Sequence, residues 1–282
     1  MKYSQIRAFH HVAVSGGFSR AAELLSLTQP AVSEQVRKLE SEHDVLLFNR
    51  ERKQITLTPI AERLLLKTKQ LFEIEEKIDD LLTENRSALQ GHLRIMVDSA
   101  FHLSARLVRF RERFPKVSIS VRTGNSEEVV NSLRNYDVEI GVVGSQNPGS
   151  DMHVESLGNS AIVAVAARDF LPKPVARIGL KALQAYPLIL REKGSKTRQK
   201  LEEEAAVLGI AFQPAVVVEG REAMLEVVAA GIGIGFVSES ELGNDPRLVR
   251  IGIDGSDLSM AEALIHLKQR GDLRIIRAFM SI

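Results

Sequence analysis

Gln29, Pro30, Ser33, Arg37 and Lys38 fall on one face of a candidate helix and carry the sharpest chemical signal in the chain. Amide and hydroxyl groups at that spacing can reach base edges in a DNA major groove, and a proline can touch a thymine methyl. Beyond them Arg50, Arg52 and Lys53 form a basic cluster suited to phosphate or minor-groove contact. We expect Gln29, Pro30, Ser33 and Arg37 to read or position within the groove of double-stranded DNA, and Arg20, Lys38, Arg50, Arg52 and Lys53 to meet phosphates. A second signal lies further on. Ser99, Asn125, Ser126, Ser195 and Thr197 stand at candidate helix starts, with His102, Arg198 and Arg221 near them. Free N–H groups and hydroxyls there favour a small anion, and Arg198 or Arg221 could supply the counter-charge. The competing reading is that Ser and Thr here only cap helices, and that Arg221 pairs with Glu219 or Glu222.

Catalytic chemistry finds no comparable constellation. The chain holds no Cys, which removes disulfide scaffolds, zinc ribbons and thiolate nucleophiles together. Its seven histidines are scattered with none at i,i+4, so neither a metal site nor a cofactor is expected. There is no Gly-x-Ser-x-Gly and no phosphate loop ending in Gly-Lys-Ser/Thr. Gly231, Gly233 and Gly235 follow a helix and enter a strand, the reverse of a dinucleotide fingerprint. His102 is the sole candidate general base, and it reads better as a helix-start residue or a ligand contact.

The length of 282 residues suggests roughly two domains. A net charge of +1 argues neither for nor against nucleic acid, so that claim rests on where the cations sit. No apolar run backs the charged N-terminus, and the least charged stretch, 227–238, is too short to span a bilayer. A cytoplasmic protein with no membrane partner is the expectation.

The elements that would position the first set are short helices. Ile6, Phe9, Val12 and Ala13 share a helical face that Gly16-Gly17 ends, Ser19 can cap a second helix, and Thr28 a third with Pro30 in its first turn. Ala31, Val32, Val36 and Leu39 then face inward, which turns Gln29, Ser33, Glu34, Arg37 and Lys38 outward. Two short helices, a tight turn and a third helix with a polar face make a helix-turn-helix, and residues 47–58 add a hairpin wing with the basic cluster at its tip. The rival is a small helical interaction module that binds no DNA. From Pro59 to about 87 one charged helix follows, with Leu64, Leu71 and Ile78 seven apart and Ile74 and Leu81 interleaved, a coiled-coil seam broken by Lys67 and Asn85. It would pair two copies, or else lie along its own domain.

From Gly91 onward strands near 93–97, 117–122 and 138–143 alternate with helices near 101–114 and 126–136. That βαβαβ order implies a parallel sheet with ligands at the C-terminal strand ends, where Asp98-Ser99-Ala100, Thr123-Gly124-Asn125-Ser126 and Gly144-Ser145 are small and polar. A second set follows, with strands near 162–167, 188–190 and 216–218, and a strand near 263–267 returns with the last helix to the first half.

Phe18-Ser19-Arg20-Ala21-Ala22-Glu23, Thr28-Gln29-Pro30-Ala31-Val32-Ser33, Leu39-Glu40, Leu47-Phe48-Asn49-Arg50 and Leu57-Thr58 together resemble the LysR-type transcriptional regulators. Glu34 departs from the pattern, being acidic where many relatives carry a basic or neutral polar residue. The resemblance implies an α/β protein with an N-terminal all-α winged helix-turn-helix (1–58), a long linker dimerisation helix (59–90) and a two-lobed effector domain like the periplasmic binding proteins (91–282). Its first lobe would take about 91–161 and 266–282, its second about 162–265. It further implies a homodimer through the linker helix, assembled into a homotetramer. Gly124-Asn125-Ser126-Glu127-Glu128-Val129 and the stretch 221–243 are similar to a subgroup associated with 2-aminoethylphosphonate catabolism.

The expected function is therefore a DNA-binding regulator, not an enzyme, that answers to a small anionic effector such as 2-aminoethylphosphonate. Its cleft residues would be Ser99, His102, Asn125, Ser126, Ser195, Thr197, Arg198 and Arg221. The alternative is a cytoplasmic bilobed α/β enzyme acting on a small anionic substrate. A solute-binding protein would have no use for the first 90 residues.

Overall fold

The computed structural model describes residues 1–51, 54–83, 89–255 and 258–282. The chain folds as two compact units, Met1–Ser87 and Ala88–Ile282.

In the first unit, α1 (Tyr3–Ser15) ends on Gly16, whose φ of 72° is the left-handed conformation that glycine adopts without a Cβ clash. The second helix, α2 (Phe18–Leu25), is preceded by Gly17 rather than capped by Ser19, which sits in the first turn. Phe18 is buried and draws the helix start back by two residues. In α3 (Gln29–His43), Thr28 caps the start by accepting from the Ala31 N–H at 3.4 Å, and Pro30 lies in the first turn. The three helices bury Phe9, Val12, Phe18, Ala21, Val32, Val36 and Leu39 in one core with Leu47 and Phe48. The wing is an antiparallel pair, β1 (Phe48–Glu51) and β2 (Gln54–Leu57), with Glu51 opposite Gln54. Glu40 ties it to α3, its Oε1 accepting from the Leu47 N–H at 2.8 Å and the Phe48 N–H at 3.4 Å. The long helix α4 (Pro59–Thr83) follows Thr58. Leu64 and Leu65 pack on the core, whereas Leu71, Ile74, Ile78 and Leu81 are 40%, 55%, 53% and 73% exposed. Asn85 and the expected end of this helix lie outside the described residues.

The second unit is built on two crossing strands. One lobe contains β3 (Gly91–Val97), α5 (Ser104–Arg113), β4 (Val117–Thr123), α6 (Ser126–Arg134) and β5 (Ile140–Val143). The pairs β3–β4 and β3–β5 are parallel, as the alternating pattern requires. The strand β6 (Met152–Ala167) is 16 residues long, far beyond the apolar run 162–167, because its polar first half finds a partner in the returning strand. Its second half carries the other lobe: β7 (Arg177–Gly179), α7 (Leu180–Leu183), β8 (Leu188–Arg191), α8 (Lys196–Val207), β9 (Pro214–Val218), α9 (Arg221–Ala229), β10 (Gly235–Ser238) and β11 (Leu248–Asp254). There Ile162, Ala164 and Ala166 face the core that includes Leu201 of α8, while Val163 and Val165 face Met224 and Val228 of α9. A strand covered on both faces is buried throughout, hence its unbroken apolar run.

The chain returns through β12 (Ser259–Leu267), which pairs with the first half of β6 along its whole length and with β5 at residues 263–265. The return to the first lobe thus begins near 259 and not at 266. Ser259, Ala261 and Glu262 give that segment little apolar signal, and the ladder with β6 makes it a strand. The last helix, α10 (Arg274–Met280), packs Phe279 against Phe110 of α5, with ring centroids 5.2 Å apart.

Candidate functional site

The first unit presents the polar face that the sequence suggested. Gln29 and Pro30 are exposed at the start of α3, Ser33 is half-buried one turn on, and Arg37 and Lys38 are exposed beyond it. Val32, Val36 and Leu39 hold the opposite face in the core. Glu34 is engaged within the helix: Arg37 donates to one of its carboxylate oxygens at 2.5 Å, and the Lys38 ammonium lies 3.6 Å from the other. Arg20 is exposed and reaches the Ser15 carbonyl at 3.4 Å. Arg50 lies on β1 with its backbone opposite Ile55, and Arg52 and Lys53 lie outside the described residues.

In the second unit Ser99, His102, Asn125 and Ser126 come from one lobe and Ser195, Thr197, Arg198 and Arg221 from the other. The two sets meet: Arg221 donates to the Ser99 hydroxyl at 2.5 Å across the cleft. Gly194 approaches Asn125 so closely that an added Cβ would lie 2.7 Å from its Oδ1. Asn125 and Glu128 cap α6 reciprocally at 3.0 Å each way, and Ser195 caps α8, with Thr197 buried in its first turn. A cavity of about 480 Å³ opens between these helix starts, lined by Ser126, Ser145 and Ser195, by Arg198, by three cations the sequence did not single out, Arg134, Lys193 and Lys196, and by the carboxylates Glu127 and Glu202.

The expected arrangement for a free anion differs in two respects. Arg198 lines the cavity but its guanidinium is engaged by its own lobe, donating to Glu202 at 2.8 Å and to the Arg191 carbonyl at 2.8 Å. The cradle at the start of α6 already holds a carboxylate of the protein. Asp98 Oδ2 accepts from the Ser126 hydroxyl and from the Gly144 N–H, both at 2.6 Å. Donors at a helix start recruit negative charge, and here the nearest comes from the end of β3.

Around Asp98 the cleft is acidic. Glu262 is 2% exposed and lies on β12 beside a register shift in which β6 carries the extra residue, Leu157, between the partners of Glu262 and Ala263. Glu241 sits 3.1 Å from Arg221, which also pairs with Glu222 at 2.5 Å. Burial, then the charges of Asp98 and Glu241, push the Glu262 carboxyl up to about 9, with Arg221 pulling the other way. Asp98 is raised to about 6 by burial and by Glu241, against its Ser126 and Gly144 hydrogen bonds. Burial lowers His102. Burial alone would lower Arg221 too, but Glu241 and Glu222 raise it, so its charge is fixed. Four buried atoms in this cluster have no hydrogen-bond partner among the described residues: Asp98 Oδ1, His102 Nε2, Arg221 Nε and Glu262 Oε2. One ligand atom each from His102, Glu241 and Glu262 lie within 4.8 Å of one another, a grouping that histidine spacing could not show. Glu262, a lone carboxylate between alanines in an apolar strand, was the signal in the sequence that could have exposed it.

Comparison with known proteins agrees with both units. Residues 3–62 match the model of the bacterial regulatory helix-turn-helix proteins of the lysR family, and residues 86–282 that of the LysR substrate binding domain. The RuBisCO operon transcriptional regulator of Allochromatium vinosum is 30% identical over 257 residues, covering 89% of this chain and 85% of that protein. The full-length CbnR structure in complex with its target DNA covers 100% of this chain and 98% of its own at 22% identity, with a TM-score of 0.68. The CcmR regulatory domain of Synechocystis PCC6803, solved with 2-PG, covers 68% of this chain and 95% of its own at 22% identity, with a TM-score of 0.61. Among the described residues no helix is long and apolar enough to cross a membrane.

Proposed function

The chain belongs to the LysR family of bacterial helix-turn-helix regulators, and we propose that it controls transcription by reading double-stranded DNA with α3 and its wing under the control of a small effector in the cleft. The observation that carries this reading is the face of α3: Gln29 and Pro30 exposed at its N-terminal end, beside a hairpin wing, with the opposite face locked in a core. A recognition helix of this kind enters the major groove by its N-terminal residues. Gln29, Pro30, Ser33 and Arg37 are the groove residues in this reading, and Arg20, Lys38, Arg50, Arg52 and Lys53 contact phosphates. The complex of CbnR with its target DNA supports it.

The exposed row Leu71, Ile74, Ile78 and Leu81 along α4 supports dimerisation through that helix, and the resemblance to the family implies a dimer of dimers as the full assembly. The effector would occupy the space between the lobes, with Ser99, His102, Asn125, Ser126, Ser195, Thr197 and Arg221 about it. The complex of the CcmR regulatory domain with 2-PG supports a small-molecule role for the cleft, and 2-aminoethylphosphonate or a related metabolite is the candidate effector, from the motifs at 124–129 and 221–243. The chain acts in this reading as a cytoplasmic regulator and not as an enzyme.

The test is selection of binding sites from a random double-stranded DNA library with the full-length protein. Enrichment of a two-half-site sequence, with preference lost at one position in Gln29→Ala, is the expected result. A discrimination loss of about 1–3 kcal/mol at that position is the size of one good base contact. Binding without any sequence enrichment would overturn the reading.

A further inference from the structure

An anion site alone would not surround itself with carboxylates. Asp98, Glu241 and Glu262 converge at the inner end of the cleft, against Arg221, a cation already shared among Glu241, Glu222 and Ser99. Glu262 is almost wholly buried, and its Oε2 lacks a partner among the described residues, as does the buried His102 Nε2 beside it. Unpaired acceptors in a protein interior are costly, and these two belong to one set of three acceptor groups within 4.8 Å of one another. We propose that the effector carries a primary ammonium group seated among Glu262, Glu241 and His102, with its opposite end toward the cavity lined by Ser126, Ser195, Lys193 and Lys196. This rests on the cleft being the effector site and adds the charge of what enters it.

Charge favours ammonium over a divalent metal ion: Arg221, 3.1 Å from Glu241, opposes any second positive charge in proportion to its size. The ammonium replaces a proton. Glu262 is raised by burial and by Asp98 and Glu241, with Arg221 opposing, so near neutral pH it is protonated and must release its proton to accept from the ligand. Of the other groups that face it, His102 is lowered and neutral at that pH and Arg221 is fixed as a cation, so Glu262 is the group that exchanges.

Calorimetry on the full-length protein with two matched pairs tests this: 2-aminoethylphosphonate against ethylphosphonate, and β-alanine against propionate. We expect at least one amine to bind at least tenfold more tightly than its deaminated partner. Its affinity should rise roughly tenfold from pH 7 to pH 8, as one released proton requires. Glu262→Gln should remove both the preference and the pH dependence, and Glu241→Gln, which keeps the Glu262 carboxyl, should weaken the amine while retaining the pH dependence. Far-UV circular dichroism and a cooperative thermal melt report folding of each variant. Equal binding of amine and deaminated partner would overturn the ammonium seat while leaving the effector cleft intact. Absence of binding by either amine at 10 mM, or Glu262-dependent binding of Zn²⁺ or Mn²⁺ in its place, would overturn it as well. Site selection on DNA needs no ligand, so failure of the regulator reading is seen separately.

Discussion

Replacing Glu262 by Gln should change how the stability of the protein depends on pH, and the size of the change follows from its surroundings. In the unfolded chain the carboxyl has its ordinary value of 4.5, and in the folded cleft it is pushed up to about 9. Between those values the folded state binds one proton that the unfolded state does not, so stability is fully present below 4.5 and is lost as pH rises towards 9. One proton corresponds to about 1.4 kcal/mol per pH unit. From pH 7 to pH 8.5, above the Asp98 value of about 6 and above the lowered His102, the native protein should lose roughly 2 kcal/mol that Glu262→Gln does not. The assay is urea unfolding of both full-length proteins across that range, followed by circular dichroism. Whatever the DNA-binding unit contributes is common to both and cancels in the difference. Parallel pH profiles for the two proteins would refute the assignment of a buried, protonated Glu262.

Glu34→Gln should release Arg37 and Lys38 from their ion pairs, strengthen binding to all DNA sequences, and steepen the dependence of log K on log salt by about one unit, read by fluorescence anisotropy between 50 and 200 mM salt. Loss of affinity would instead mean that Glu34 accepts from a base. Glu40→Ala should destabilise the first unit by about 1.5–3 kcal/mol, because two backbone N–H groups of the wing lose a charged acceptor, and Glu40→Gln should recover part of this in thermal melts. Ile78→Asp should halve the mass of the assembly in light scattering if α4 is the dimer seam, while an unchanged mass would place the interface elsewhere.

The N-terminal unit was legible because its determinants are local. Thr28, Pro30 and the core positions Val32, Val36 and Leu39 fix α3 and its exposed face within one segment, and the hairpin register follows from a short connection. The parallel pairing of the first βαβαβ set was equally readable, since β3, β4 and β5 are short strands separated by amphipathic helices that force a crossover. The start of β12 and the first half of β6 were not. Both are polar, and each is a strand only because the other lies beside it.

The cleft failed to reveal itself for a related reason, and in a direction that matters for function. Hydroxyls at helix starts are visible in sequence, so Ser126 and Ser195 point to an anion; what fills the Ser126 cradle is decided in three dimensions, by Asp98 arriving from the end of β3. Arg198 is a cation near a cleft in sequence, yet Glu202, one helical turn on, and the Arg191 carbonyl take it first. Glu241 and Glu262 are 21 residues apart and more than 100 from Asp98 and His102, so their mutual repulsion has no local signature. The net effect inverts the expected electrostatics at the inner end, where Arg221 is outnumbered by Asp98 and Glu241 and their charges keep Glu262 protonated. A ligand defined only by an anionic group would meet Lys193 and Lys196 at the cavity and then repulsion further in. Occupying the whole cleft therefore requires a molecule with opposite charges at its two ends, or one short enough to stay at the cavity.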